Sequence, residues 1–250
     1  MGRFSSQRTR SMFEQYSSEE QDAIAARAAI ATWFGNDGQT AEKIQHQPVD
    51  LAVLKSWLSF WILARTVGSG RREAIRDFLN HTARGKLLEP SASCETVEQL
   101  SAQVKTDGIM PGCPTSLISK FAFTLRPESF VPYDRRVRGA LNALGYRVKA
   151  HHYCDYLRGF RLAQETIVER CRATGLSPAK LRYQGKTLDN ALFDARLAYK
   201  RLMLQGGFSA SRMKKGLQAQ RLFVGRGSRK IEARPKLYPG GIIAMRERWR

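Results

Sequence analysis

The stretch that decides the fold begins at Met110 and ends at Gly145, and it reads MPGCPTSLISKFAFTLRPESFVPYDRRVRGALNALG. A turn rich in Pro and Gly comes first, followed by an apolar helical run that ends before Pro127. A short extended piece then leads to Asp134, where a second helix begins and continues to Gly145. A turn placed before a helix can present backbone N–H groups to a phosphate without reading base sequence. The stretch therefore predicts two helices joined by an extended piece, with an anion-binding turn before the first.

Sequence patterns on both sides of this stretch are helical, and the alternation typical of strands is nearly absent. The weak exceptions are 181–183 and 222–224. We therefore predict an all-α fold, a bundle of about eight helices. Outside the deciding stretch, the predicted helices cover 17–34 (closed by Gly35), 48–66, 71–88, 95–105, 151–173 and 187–204.

The chain is strongly basic. Of its 250 residues, 42 are Lys or Arg and 22 are Asp or Glu, which gives a net charge of +20. An excess of this size indicates a polyanionic partner, most simply nucleic acid, and it excludes an acidic disordered chain. Anionic membranes and ribosomes also attract such surfaces, so charge selects a class of partners and no mechanism.

The composition changes after residue 205. Residues 206–250 hold twelve Lys or Arg and two acidic residues, with aromatic side chains between them. This pattern suits tracking of a nucleic-acid backbone with stacking on bases, and Lys214 and Lys215 are candidate contacts. A flexible basic tail with a few docking anchors explains it equally. The predicted organisation is an N-terminal helical part at 1–106, the helices around the Pro- and Gly-rich turn together with the C-terminal helices at 107–205, and a basic C-terminal extension at 206–250.

The sequence shows no sign of export, of a membrane span or of a metal site. The apolar run Leu51–Leu63 is too short to cross a bilayer, and polar residues follow the basic N-terminus where a signal peptide would be apolar. The four cysteines, Cys94, Cys113, Cys154 and Cys171, lack zinc-type spacing and are too few for a disulfide scaffold. We expect a cytoplasmic protein, nucleoid-associated in a prokaryote, with reduced thiols, no metal and no cofactor.

The deciding stretch resembles the helix-hairpin-helix DNA glycosylases, the superfamily that includes the 8-oxoguanine glycosylases. Met110-Pro111-Gly112 corresponds to the start of their hairpin, and Val131-Pro132-Tyr133-Asp134-Arg135-Arg136-Val137 corresponds to their aspartate segment. The second hairpin glycine is replaced by Pro114, and the hairpin lysine of bifunctional members would fall at Ser116. Lys120 lies one turn further along the same helix face. A divergent 8-oxoguanine-glycosylase-like group, with a Ser-Lys pair in this helix and Tyr-Asp before the next, is the nearest pattern.

The resemblance implies removal of a damaged or modified base from double-stranded DNA, with possible cleavage at the abasic site. Asp134 would be the carboxylate that stabilises positive charge on the sugar, and it must be ionised to do so. Lys120 would attack C1′ if burial lowers its pKa, and would otherwise hold a phosphate. The base must leave the duplex, into a cleft between the N-terminal helices and 110–145. The candidates for stacking on it are Trp57, Trp61, Phe121, Phe123 and Tyr133, and the nucleic-acid contacts are Gly112, Ser116, Arg135, Arg136 and Arg138.

Each of these residues also has a purely structural interpretation. Asp134 is a favoured N-cap residue, Lys120 on a helix is usually solvated, and Trp57 and Trp61 at helical spacing among leucines are typical of a core. The three arginines are expected to face solvent under either interpretation. The alternative function is a basic nucleic-acid-binding protein without catalysis, which uses the same surface.

Overall fold

The computed structural model describes residues 16–112, 114–181, 183, 186–208 and 213. The all-α prediction is confirmed: within these residues there is no strand, and Tyr183 and Lys186 form an isolated bridge. The other predicted strand, 222–224, lies outside the described residues. The helices are α1 (Ser18–Thr32), α2 (Gly38–His46), α3 (Leu51–Phe60), α4 (Ala64–Val67), α5 (Arg72–Phe78), α6 (Arg84–Leu88), α7 (Cys94–Thr106), α8 (Thr115–Leu125), α9 (Arg135–Ala143), α10 (Tyr153–Ala173) and α11 (Asn190–Gln205).

Helix starts follow the local capping chemistry that the sequence displays. A capping box is present at α1, where the Ser17 side chain accepts from the Glu20 N–H and the Glu20 carboxylate accepts from the Ser17 N–H. Asp50 caps α3, and Asp134 caps α9. In each case an oxygen of the side chain accepts a hydrogen bond from a backbone N–H in the first turn of the helix.

Helix ends differ more from the predictions. Gly35 does not close the first helix, because the chain continues through a π turn at Trp33–Asp37 into α2. The continuation buries Ile44 in the same core as α1, so tertiary packing outweighs the glycine stop signal. The predicted helix 48–66 is interrupted between α3 and α4, and the predicted helix 71–88 contains a π turn at Leu79–Ala83.

The core forms where α11 packs against α1, α9 and α10, and where α7 packs against α8 and α10. Small side chains on α1, including Ala25, Ala28 and Ala29, are fully buried and allow α11 to approach closely. Trp57 and Trp61 are both buried, as the core interpretation of these residues predicted. No helix of the described residues is long and apolar enough to span a membrane.

One pair of cysteines corrects the expectation of reduced thiols. Cys94 at the start of α7 and Cys154 at the start of α10 form a disulfide, and their Cα atoms lie 5.0 Å apart. The two residues are 60 positions apart in sequence, so spacing gave no sign of the bond. Packing of α7 against α10 brings the two helix starts together. Cys171 is a free, buried thiol.

Reduction of this disulfide is expected to lower the free energy of unfolding. For a sequence separation of 60 residues, the chain-entropy model gives a loss of about 4 kcal/mol at 25 °C. Urea unfolding with and without dithiothreitol measures the difference, with thiols counted by mass spectrometry. A Cys94→Ser, Cys154→Ser double variant is the control and should not respond to dithiothreitol. Equal unfolding midpoints for the oxidised and reduced wild-type protein would contradict the prediction.

Candidate functional site

The segment 130–134 lies between α8 and α9 and carries Asp134 at its end. Its residues 130–133 are extended and buried, yet no strand among the described residues satisfies their backbone polar groups. Side-chain hydroxyls from α10 do so instead. The Tyr153 hydroxyl accepts from the Val131 N–H at 2.9 Å and donates to the Val131 carbonyl at 2.8 Å. The Tyr156 hydroxyl donates to the Pro132 carbonyl at 2.8 Å. These bonds fix the segment against α10, because an unpaired buried peptide group is costly.

Two serines of α8 hold the other side of this segment. Ser119 accepts from the Tyr133 N–H at 3.0 Å, and Ser116 donates to the Tyr133 carbonyl at 3.1 Å. Ser116, predicted as a nucleic-acid contact, therefore has an acceptor inside the protein. The same helix carries Lys120, so α8 and the segment ending at Asp134 form one hydrogen-bonded unit.

This unit brings Lys120 and Asp134 together. The Lys120 Nζ atom lies 4.0 Å from Asp134 Oδ2, and the Lys120 side chain is 4% exposed, against 23% for Asp134. Asp134 Oδ1 accepts from the Arg136 N–H at 2.8 Å. Asp134 thus caps α9 with one carboxylate oxygen and approaches the lysine with the other. The carboxylate is the member of the pair that solvent reaches.

Burial changes the acid–base behaviour of Lys120. The ammonium group is removed from water, which lowers the pKa of Lys120 to about 8, although the nearby Asp134 carboxylate acts in the opposite direction. Its other neighbour is Trp61, whose carbonyl oxygen lies 3.5 Å from Nζ and whose ring centroid lies 5.5 Å away. The expectation of a solvated Lys120 is wrong, since α8 turns this face toward α3 and the segment 130–134.

Trp61 connects this pair to an aromatic cavity. Its ring makes edge-to-face contacts with Phe60, Phe123 and Tyr199, with centroids 5.2–6.2 Å apart. The indole Nε1 atom of Trp61 is buried and has no acceptor among the described residues. The cavity is small, with a volume of about 10 Å³, which is room for about one water molecule. It is lined by Phe60, Trp61, Phe123, Pro132, Arg196, Tyr199 and Lys200.

The predicted stacking residues therefore separate into two groups. Trp61 and Phe123 line the cavity. Trp57 and Phe121 do not: their rings pack edge to face at 6.0 Å in the core, and the Trp57 indole donates to the Thr124 hydroxyl. Tyr133 is buried beside Tyr156, with ring centroids 4.7 Å apart.

The predicted phosphate contacts are mostly at the surface. Arg135 and Arg136 at the start of α9 are exposed, and Arg138 is half-buried. The Arg136 guanidinium lies 5.3 Å from the Phe208 ring centroid, which holds the start of α9 against the end of α11. Gly112 is exposed in the turn before α8. Lys214 and Lys215 lie outside the described residues.

Sequence reasoning missed the hydroxyls that position Asp134. Ser119, Tyr153 and Tyr156 act on backbone groups 14–24 positions away, so no local pattern indicates them. The spacing of Tyr153 and Tyr156 places both on one helix face, which was the available signal. Among the described residues, Cys94, Glu95 and Cys154 form a group of metal-ligand type, but the two sulfur atoms are bonded to each other.

Comparisons with protein-family models, with curated proteins and with solved structures found no match to this chain. The likeness to helix-hairpin-helix glycosylases therefore rests on the residues of 110–145. The geometry around Lys120 and Asp134 is the physical ground for assigning a function.

Proposed function

We propose that this protein is a DNA N-glycosylase of a divergent helix-hairpin-helix type, which excises a damaged or modified base from double-stranded DNA. The observation that carries the proposal is the buried Lys120 amine 4.0 Å from the partly exposed Asp134 carboxylate. A lysine with a pKa of about 8 beside a carboxylate is a pair suited to chemistry at a sugar carbon. Chromosomal DNA as the substrate would place the protein in the cytoplasm, at the nucleoid of a prokaryotic cell, where the Cys94–Cys154 disulfide must withstand cytosolic reductants.

The proposed reaction breaks the bond between C1′ and the base nitrogen. The base leaves with the bonding electrons and takes up a proton, while positive charge develops on the sugar. The Asp134 carboxylate stabilises that charge through the oxygen that faces Lys120. The neutral Lys120 amine then forms a bond to C1′, and the proton that its nitrogen loses is the one that the departed base takes up. Ring opening of the sugar yields a Schiff base, which water hydrolyses.

The extruded base would lie against Trp61. The indole face supplies stacking, and the unpaired Nε1–H supplies a donor for an acceptor on the base. The cavity is narrow, so the partly exposed Phe60 or Lys200 must swing aside to admit a base. Arg135 and Arg136, exposed beside Asp134, would contact the phosphates that flank the extruded nucleotide.

Borohydride trapping tests the role assigned to Lys120. We expect a covalent protein–DNA adduct on a duplex that carries the released base, and none with Lys120→Ala. Because only the neutral amine attacks, the yield should rise about tenfold per pH unit below the Lys120 pKa of about 8, then level off. Lys105→Ala removes an exposed lysine from the end of α7 and is the control. Base release without an adduct would assign the attack to water.

The competing function is nucleic-acid binding without catalysis. Both members of the pair have structural partners that fit it, because Asp134 caps α9 and Lys120 contacts the Trp61 carbonyl. A panel of duplexes with deaminated, oxidised, alkylated and naturally modified bases separates the two functions. If no duplex releases a base and binding weakens steeply as the salt concentration rises, the protein binds nucleic acid without catalysis and the glycosylase proposal is wrong.

A further inference from the structure

The disulfide between Cys94 and Cys154 lies where two helices begin. Cys94 is the first residue of α7, and Cys154 is the second residue of α10. Both residues are half-buried, so a small reductant reaches the bond. Cytosolic dithiols reduce accessible disulfides, and the cellular location that follows from the proposed function exposes this bond to them. Where the bond is reduced, two thiols remain side by side at the two helix starts.

A carboxylate lies beside these two sulfur atoms. The Glu95 Oε2 atom lies 3.2 Å from Cys94 Sγ, and one carboxylate oxygen and the two sulfur atoms are all within 4.8 Å of one another. Two thiolates and one carboxylate are a ligand set that Zn²⁺ accepts. The first turn of each helix carries partial positive charge, which stabilises the negative charge of thiolates. The group therefore has the chemistry of a metal site once the sulfur–sulfur bond is broken.

Ser93 orients Glu95 for this role. The Ser93 hydroxyl donates a hydrogen bond to Glu95 Oε2 at 2.6 Å, and this bond lowers the pKa of Glu95. The carboxylate is therefore ionised at neutral pH, as a metal ligand must be. Hydrogen bonds of this kind fix the orientation of ligands in metal sites.

Contacts other than the disulfide keep the two helix starts together. The Glu98 carboxylate accepts from the Cys154 N–H at 3.0 Å, which joins α7 to α10 independently of the sulfur atoms. The neighbouring Tyr153 hydroxyl holds the same helix start to the Val131 carbonyl. Two thiolates of a tetrahedral Zn²⁺ site lie about 3.8 Å apart, because each Zn–S bond is about 2.3 Å long. Rotation of the two cysteine side chains can supply this separation while their Cα atoms stay 5.0 Å apart.

We propose that Cys94, Cys154 and Glu95 bind one Zn²⁺ ion when the disulfide is reduced, with water in the fourth position. A dithiol gives two electrons and two protons to the disulfide and becomes a disulfide itself. The two thiols then lose two protons as their sulfur atoms bind the metal. The ion replaces the disulfide as the link between α7 and α10, so the junction stays closed in either redox state. The inference goes beyond the proposed function, because the site takes no part in base cleavage.

Zinc titration of the full chain in its two redox states tests the site. One sample is reduced with dithiothreitol, which gel filtration under argon then removes, and the other is left oxidised. A chromophoric zinc chelator competes for the metal. The reduced chain should bind one Zn²⁺ ion with release of protons, and the oxidised chain should not compete. At a free zinc concentration about 100 times the Kd, the melting temperature of the reduced chain should rise by about 5–10 °C.

Three variants separate this site from other zinc ligands in the chain. The Cys94→Ser, Cys154→Ser double variant keeps Cys171 and every histidine, and it should no longer compete with the chelator. Glu95→Gln should weaken zinc binding by about tenfold or more, because a charged ligand is lost. Glu19→Gln is the matched control, since Glu19 is the exposed second residue of α1, as Glu95 is of α7. It should bind zinc as wild type does.

The zinc site is wrong if the reduced chain binds no zinc, or if dithiothreitol leaves the disulfide of the folded chain intact. It is also wrong if the double variant binds zinc as tightly as reduced wild type, which would assign the ion to other side chains. Equal affinities for Glu95→Gln and Glu19→Gln overturn the three-ligand set. The titration contains no DNA, so the two proposals fail separately. Loss of the zinc site leaves the glycosylase proposal standing, and a chain that releases no base can still bind zinc.

Discussion

Asp134→Asn is expected to lower the rate of base release by about 10²–10³-fold, the usual cost of losing one electrostatic stabiliser of a transition state. Asparagine keeps the shape of the side chain and can still accept from the Arg136 N–H, since Asn and Asp are equally good N-caps. Only the negative charge beside Lys120 is removed. The fold should therefore be unchanged in thermal unfolding, while single-turnover base release shows the loss.

The same substitution should also affect Lys120. The Asp134 carboxylate raises the pKa of Lys120 against the effect of burial, so its removal should shift the pH midpoint of adduct formation below about 8. Asp50→Asn is the matched control, because Asp50 caps α3 through the Val53 N–H at 2.7 Å, just as Asp134 caps α9. An Asp134→Asn enzyme as active as wild type would remove the carboxylate from the mechanism.

Among single substitutions, the largest effect on stability is expected at Asp22. This carboxylate is 1% exposed and accepts hydrogen bonds from Arg170 Nε at 2.6 Å and from Arg201 Nε at 2.7 Å. It joins α1 to α10 and α11, elements 148 and 179 positions away in sequence. Asp22→Asn leaves two guanidinium groups without their counter-charge, one of them on the buried Arg201. We expect the free energy of unfolding to fall by about 3–5 kcal/mol.

Urea unfolding of Asp22→Asn measures this loss. Asp77→Asn is the control, because Asp77 pairs with Arg76 at 2.7 Å on the surface and its side chain is 51% exposed. Such exposed pairs contribute about 0–1 kcal/mol, so the control should unfold almost as wild type does. Similar midpoints for both variants would show that the Asp22 pair is no more important than a surface contact.

The Lys120–Asp134 pair shows how far the sequence reaches. The turn, the proline-containing loop and the position of Asp134 before two arginines singled out both residues. Their separation of 4.0 Å and the burial of Lys120 could not be deduced, because both depend on Ser116, Ser119 and the tyrosines of α10 holding the segment 130–134. The hydroxyls that hold this segment bond to backbone N–H and carbonyl groups. Every residue carries such groups, so the sequence does not indicate which of them will be bonded.

Helix ends show the same contrast between what the sequence indicates and what tertiary packing decides. Gly35 is a typical signal for the end of a helix, but the helical conformation continues past it because α2 then buries one of its faces in the core. Ile62 is the reverse case, a residue that carries no stop signal and yet occupies the left-handed turn at the end of α3. Local propensity differs by roughly 1 kcal/mol between residues, and burial of one large apolar side chain outweighs it.

The sequence by itself determined the all-α class, the helix starts at Ser17, Asp50 and Asp134, and the excess of positive charge, because capping bonds span three residues and charge is a sum over the chain. The tertiary structure alone decided which lysine is buried against which carboxylate, which cysteines are bonded, and which apolar residue stays in solvent. Those outcomes depend on desolvation and on contacts between distant segments, and each is set by the packing of helices that the sequence does not place.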